Sequence, residues 1–280
     1  MRAFMSAART DTVSRTAMTF TALALGFAWL YWLAVVLWRK GVLPFSMESG
    51  DFFPQSVLGA VLWAILSNFG PAIAGFIAVG RGAPRLARSI IQWRIPARLY
   101  VLGLFGLGIN LGVVIAGVAA GQLRFAPQVT VAKAVLVFFP MVFLDGPFGE
   151  EIGWRGVLLP ELLQRFSALT AALLVGVVWY LWHVPLYLVS GRMTDLGAHV
   201  EFLYSCLALS ILFTWFFLKS AGSTFLAIYL HAFSNYFTFL RVKLFVRSGP
   251  PTLLLAVYVI LLSAMAIVAA IALSRRRLVS

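Results

Sequence analysis

The sequence predicts an all-α polytopic membrane protein, and three observations carry that expectation. Of its 280 residues, 62% are apolar and only 11% charged, roughly half the charge density of an ordinary soluble domain. The apolar residues gather into long runs, and at about 20 residues per span the chain has room for up to about ten transmembrane helices. The 22 basic residues punctuate those runs. A soluble enzyme is excluded. The net charge of +13 then belongs to membrane topology, so no nucleic-acid partner is expected. Cys206 is the single cysteine, which leaves no disulfide framework and no CxxC site.

Eight runs are long enough to cross a bilayer: 16–38, 57–80, 99–121, 131–159, 168–189, 201–219, 223–245 and 252–273. The first follows Arg2, Arg9 and Arg15 as a signal peptide would. Its apolar stretch is too long for a signal segment and ends at Arg39 and Lys40, so it reads as a retained span. Between the second and third runs, residues 81–98 interleave five arginines with Leu86, Ile90, Ile91 and Trp93. That pattern suits either a short helix in the headgroup layer or a plain basic loop. Most basic residues fall in the N-terminal tail, in 81–98, at Arg155, Arg165 and Lys219, and in the tail Arg275–Arg277. The positive-inside rule therefore places both termini in the cytoplasm. No repeat or linker divides the chain, so 1–280 is expected to be a single integral membrane domain.

Ionisable side chains inside apolar runs need a reason, because a charged form costs at least ~2.5 kcal/mol to insert. Asp145, Glu150 and Glu151 lie in the fourth run, His183 in the fifth and His231 in the seventh. Glu151 and Arg155 are four residues apart and stack on one helical face, where they can pair. Glu150 lies ~100° round the helix without a local cation, in the setting of a proton-transferring base. A helix–helix hydrogen bond would be the plain structural use of the same carboxylate. His183 follows Trp179 by four residues in an aromatic stretch and precedes Pro185, which is expected to open the helix locally. A lone histidine there is more often a packing residue. His231 and Asn235 are also one turn apart, as a donor pair for an oxyanion or as a polar cluster gluing helices. Counted from the cytoplasmic ends, Glu150, His231, Asn235 and His183 lie at roughly 14, 12, 18 and 22 Å. They share one layer, and a polar intramembrane cavity is expected there.

The set Glu150-Glu151-x-x-x-Arg155, His183, and His231-x-x-x-Asn235, each on a separate hydrophobic helix, resembles the CPBP family. These are intramembrane proteases that include the Ras-converting CAAX endopeptidase and the Abi proteins linked to bacteriocin processing and immunity. The likeness is firm over 131–240, and Trp179 departs from the phenylalanine usual at that position. The resemblance implies a glutamate-dependent endopeptidase acting on a membrane-associated peptide or protein. Glu150 and His183 would activate a water, His231 and Asn235 would stabilise the oxyanion, and Glu151 and Arg155 would support the site. The implied location is the inner membrane of a bacterium. No cofactor is required on this reading, although Glu150, His183 and His231 could supply three ligands to a divalent metal such as zinc. A proton-coupled transporter using Glu150 and His183, and a non-catalytic immunity or scaffold protein, remain as alternatives. HExxH, GxSxG and a second intramembrane aspartate are all missing, so zincin, serine-hydrolase and aspartyl-dyad chemistry lack their groups.

Overall fold

The computed structural model describes residues 14–39, 42, 63–144, 146–190 and 195–275. The protein is an all-α polytopic membrane protein, and each of the eight apolar runs holds helix. Its elements in chain order begin with α1 (Arg15–Arg39), a π-helical turn at Trp63–Asn68, α2 (Gly70–Val79), α3 (Ala83–Ile90), α4 (Ala97–Gly103) and α5 (Phe105–Ala119). Strand β1 (Leu123–Phe125), α6 (Val131–Leu144), α7 (Pro147–Gly153), a π-helical turn at Trp154–Leu158 and α8 (Leu159–Leu163) follow. The chain closes with α9 (Ala168–Ser190), α10 (Leu196–Lys219), α11 (Thr224–Leu244), β2 (Phe245–Arg247) and α12 (Thr252–Ser274).

Among the described residues, six stretches are long and apolar enough to cross a bilayer: Arg15–Leu37, Ala97–Ala119, Val131–Leu163, Ala168–Ser190, Leu196–Lys219 and Thr252–Ser274. Two of the eight expected spans are not among them. The run 57–80 falls partly outside the described residues, and α11 is diluted by His231, Ser234, Asn235, Thr238, Arg241 and Lys243. Outward faces are apolar, as at Val135, Leu136 and Phe139 of α6, while Glu150, Glu151, Arg155 and His231 are buried. Small residues such as Ala24, Ala28, Ala74, Ala171 and Ala172 are buried where helices approach, as packing in lipid favours.

Polar caps start several helices. Ser14 accepts from the Ala17 N–H and donates to Glu161, tying the beginning of α1 to α8. Asp195 and Ser223 cap α10 and α11 through the Ala198 and Leu226 N–H groups. Residues 83–90 form a helix rather than a plain basic loop: Leu86 is buried, and Ile91 and Trp93 just beyond it are exposed.

Three details depart from the expected helices. The fourth run is interrupted, because Gly146 adopts φ +104°, a left-handed conformation that suits glycine, and Pro147 then starts α7 without needing an N–H partner. Glu150 thus lies in the first turn of a new helix, not midway along a continuous one. Asp145 lies outside the described residues. Pro185 does not open α9, which runs through it to Ser190. Finally, β1 and β2 pair antiparallel, with Leu123 opposite Arg247 and Phe125 opposite Phe245. This ribbon joins the ends of α5 and α11.

Candidate active site

Glu150 and Glu151 are held where α7 meets α2 and α11. Gly153 allows the close approach to α2, since a Cβ at that position would come within 2.7 Å of Pro71. The π-helical turn that follows carries Trp154 and Arg155 inward, and both are fully buried.

The expected pair forms. Arg155 Nη1 donates to Glu151 Oε1 at 2.9 Å with both side chains fully buried. The same oxygen also receives the ring of His231 from α11, with Nδ1 at 2.9 Å. A carboxylate only accepts, so His231 carries its Nδ1 proton toward Glu151 and presents Nε2 to the other side. Among the described residues Arg155 has no hydrogen-bond partner at Nε and Nη2. Its guanidinium instead lies over the rings of Trp179 and Phe213, 4.9 and 4.7 Å from their centroids, where ring faces offset part of the missing hydration.

Glu150, 4% exposed, has no ion-pair partner among the described residues. Its Oε2 accepts from two indoles, a short hydrogen bond from Trp179 Nε1 and a weaker contact from Trp154 Nε1 at 3.4 Å. These donors compensate a buried carboxylate and leave Oε1 free of them. Trp179 also accepts from the imidazole through its backbone: His183 Nδ1 lies 2.9 Å from the Trp179 carbonyl. The carbonyl accepts, so Nδ1 is the protonated nitrogen and Nε2 keeps its lone pair. Trp182, Tyr187 and Phe202 box the His183 ring at centroid distances of 4.6, 5.7 and 5.0 Å. The edge of Trp179 meets His231 as well, at 5.3 Å.

The structure therefore gathers Glu150, Glu151, Arg155 and His231 around Trp179, with His183 one hydrogen bond away. Asn235 lies on the next turn of α11, half-buried, with no side-chain hydrogen bond among the described residues. In the sequence Trp179 stands out only as a departure from phenylalanine, and the role of its indole N–H is visible only in the fold. The four-residue spacing of Glu150 and Trp154 was a readable signal, whereas the contact from Trp179 crosses between helices.

No three His, Cys, Asp or Glu side chains among the described residues are grouped closely enough to hold a metal ion. Glu150, His183 and His231 are therefore not drawn together as such a group in this arrangement.

The segment containing all these groups, residues 132–237, matches the family described as type II CAAX prenyl endopeptidase Rce1-like. Over this segment the chain is similar to CAAX prenyl endopeptidases. A CAAX prenyl protease 2 from Methanococcus maripaludis is 36% identical over 107 residues, which is 35% of this chain and 39% of that relative. The chain thus spans about two fifths of the curated relative it matches. The family segment coincides with α6 to α11, the part of the fold that supplies every residue of the cluster.

Proposed function

We propose that the protein is an intramembrane endopeptidase in which Glu150 is the general base. The observation that carries this reading is the arrangement at Glu150. One carboxylate oxygen is held by indole N–H groups and the other is left to take a proton, in a buried site beside two histidines with their Nε2 atoms unbound by Glu151 or Trp179. In the reaction, Glu150 Oε1 removes a proton from water as the water oxygen bonds to the carbonyl carbon. The carbonyl electrons move onto oxygen, where Asn235 Nδ2 and His231 Nε2 donate. Donation from Nε2 requires a doubly protonated ring, for which Glu151 is the counter-charge. Collapse re-forms the carbonyl and breaks the C–N bond, and the proton passes from Glu150, aided by His183, to the departing amine.

A second reading is favoured by the 2.9 Å contact between Glu151 and His231. There His231 is neutral and acts as the base through Nε2, with Glu151 orienting it as a carboxylate orients a catalytic histidine. The relative's name makes a prenylated CAAX-type peptide the first substrate to try, in parallel with its unprenylated form. Purified full chain in lipid nanodiscs should cleave such a peptide, and Glu150→Gln should lower kcat by about 10²–10⁴-fold with an unchanged melting temperature. Turnover retained by Glu150→Gln but lost in Glu151→Gln would transfer the base to His231. Cleavage unaffected by either change would refute both readings.

A further inference from the structure

A cavity of about 600 Å³ opens beneath the β1–β2 ribbon, among α5, α10, α11 and α12, and neither Glu150 nor either intramembrane histidine lines it. Its volume falls in the range of small-ligand sites, roughly 300–1,000 Å³. Arg241 on α11 sets its chemistry. Although this residue lies three positions before the end of its helix, its guanidinium turns inward and Nε donates to Asn110 Oδ1 at 2.8 Å. Asn110 is 8% exposed and nine residues, about 14 Å, inside the end of α5. Its amide is oriented by donation from Nδ2 to the Gly106 carbonyl at 2.9 Å and to Thr238 Oγ1 at 3.4 Å. The amide oxygen must therefore face Arg241, and the arginine is held in place by a built polar network.

Among the described residues Arg241 has no carboxylate within ion-pair distance, and its one side-chain hydrogen bond is to Asn110. An arginine in a membrane helix is stabilised by an opposite charge or by carbonyl oxygens, and here the Asn110 oxygen engages Nε alone. With Nε engaged, the edge formed by Nη1 and Nη2 is a planar fork that matches two oxygens of one anion. Arg247 and Glu201 also line the cavity, so its walls carry a net single positive charge. That balance suits a monoanion. Hydroxyls of Ser205 and Tyr258 share the lining with apolar side chains such as Val113 and Leu254, as a headgroup followed by hydrocarbon requires.

We propose that this cavity binds the phosphodiester headgroup of an anionic membrane phospholipid, with Arg241 as its charge partner. The site is separate from the endopeptidase cluster. The test uses full-length protein in neutral detergent, examined by native mass spectrometry and thermal unfolding with added phosphatidylglycerol, phosphatidylcholine or inorganic phosphate. Phosphatidylglycerol should remain bound and raise the melting temperature, phosphatidylcholine should do so more weakly, and inorganic phosphate should not. Arg241→Gln should weaken retention of phosphatidylglycerol about 10- to 100-fold, the loss expected when one charge-assisted contact is removed. Ser205→Leu, which obstructs the cavity and leaves the Arg241–Asn110 bond intact, should also weaken it, and this variant decides the matter if Arg241→Gln fails to fold. Equal retention of the two lipids, undiminished retention in a folded Arg241→Gln protein or in Ser205→Leu, or an equal shift with inorganic phosphate alone would overturn the proposal. The last outcome would indicate a site for a free anion.

Discussion

Replacing Arg155 by alanine tests the central electrostatic claim about the site. The Arg155–Glu151 pair is fully buried on both sides, and breaking such a pair costs about 3–5 kcal/mol because one charge is left uncompensated. Glu151 would keep His231 at 2.9 Å, which places the cost near the lower end, at about 3 kcal/mol. Losing the guanidinium from the faces of Trp179 and Phe213 adds about 1 kcal/mol. A total near 4 kcal/mol lowers the melting temperature of a chain this size by about 8–16 °C. Thermal unfolding in detergent, followed by the fluorescence of buried tryptophans, reads that shift, and Arg155→Lys should recover about half of it by restoring charge without the planar fork. A change below about 3 °C in Arg155→Ala would mean that Glu151 is neutral or that the pair contributes little, and the reasoning would fail.

Trp179→Phe removes the indole N–H that reaches Glu150, along with the fused pyrrole ring, while keeping an aromatic face for Arg155. It should lower kcat by about tenfold or more, the worth of a hydrogen bond to a charged group, with KM nearly unchanged and a stability loss of about 1–2 kcal/mol from the smaller buried ring. An equal loss in KM would instead assign Trp179 to substrate binding. Cys206 is buried in α10, 2% exposed, as a small hydrophobic side chain, so Cys206→Ala should retain full cleavage of a reporter peptide. Loss of turnover in a folded Cys206→Ala protein would point to a thiol mechanism.

Much of the fold was determined by the sequence alone. Composition and run length were enough for a polytopic helical protein because lipid requires every spanning backbone to satisfy its own hydrogen bonds. The Glu151–Arg155 pair was legible because the α-helix brings residues four apart onto one face whatever surrounds them. The break before Glu150 was written in Gly146 and Pro147, yet apolar run length concealed it. The tertiary structure decided the remainder. Nothing in the linear order says that α9 turns the Trp179 indole toward Glu150, that α11 brings His231 to Glu151, or that Arg241 folds inward onto Asn110. Those contacts depend on the rotation of each helix about its own axis, and near-uniform apolar sequence specifies that rotation weakly. It is set by the few places where small residues allow close approach, such as Gly153 against Pro71 and Gly106 against Ser234, and by polar groups that find partners only inside the bundle.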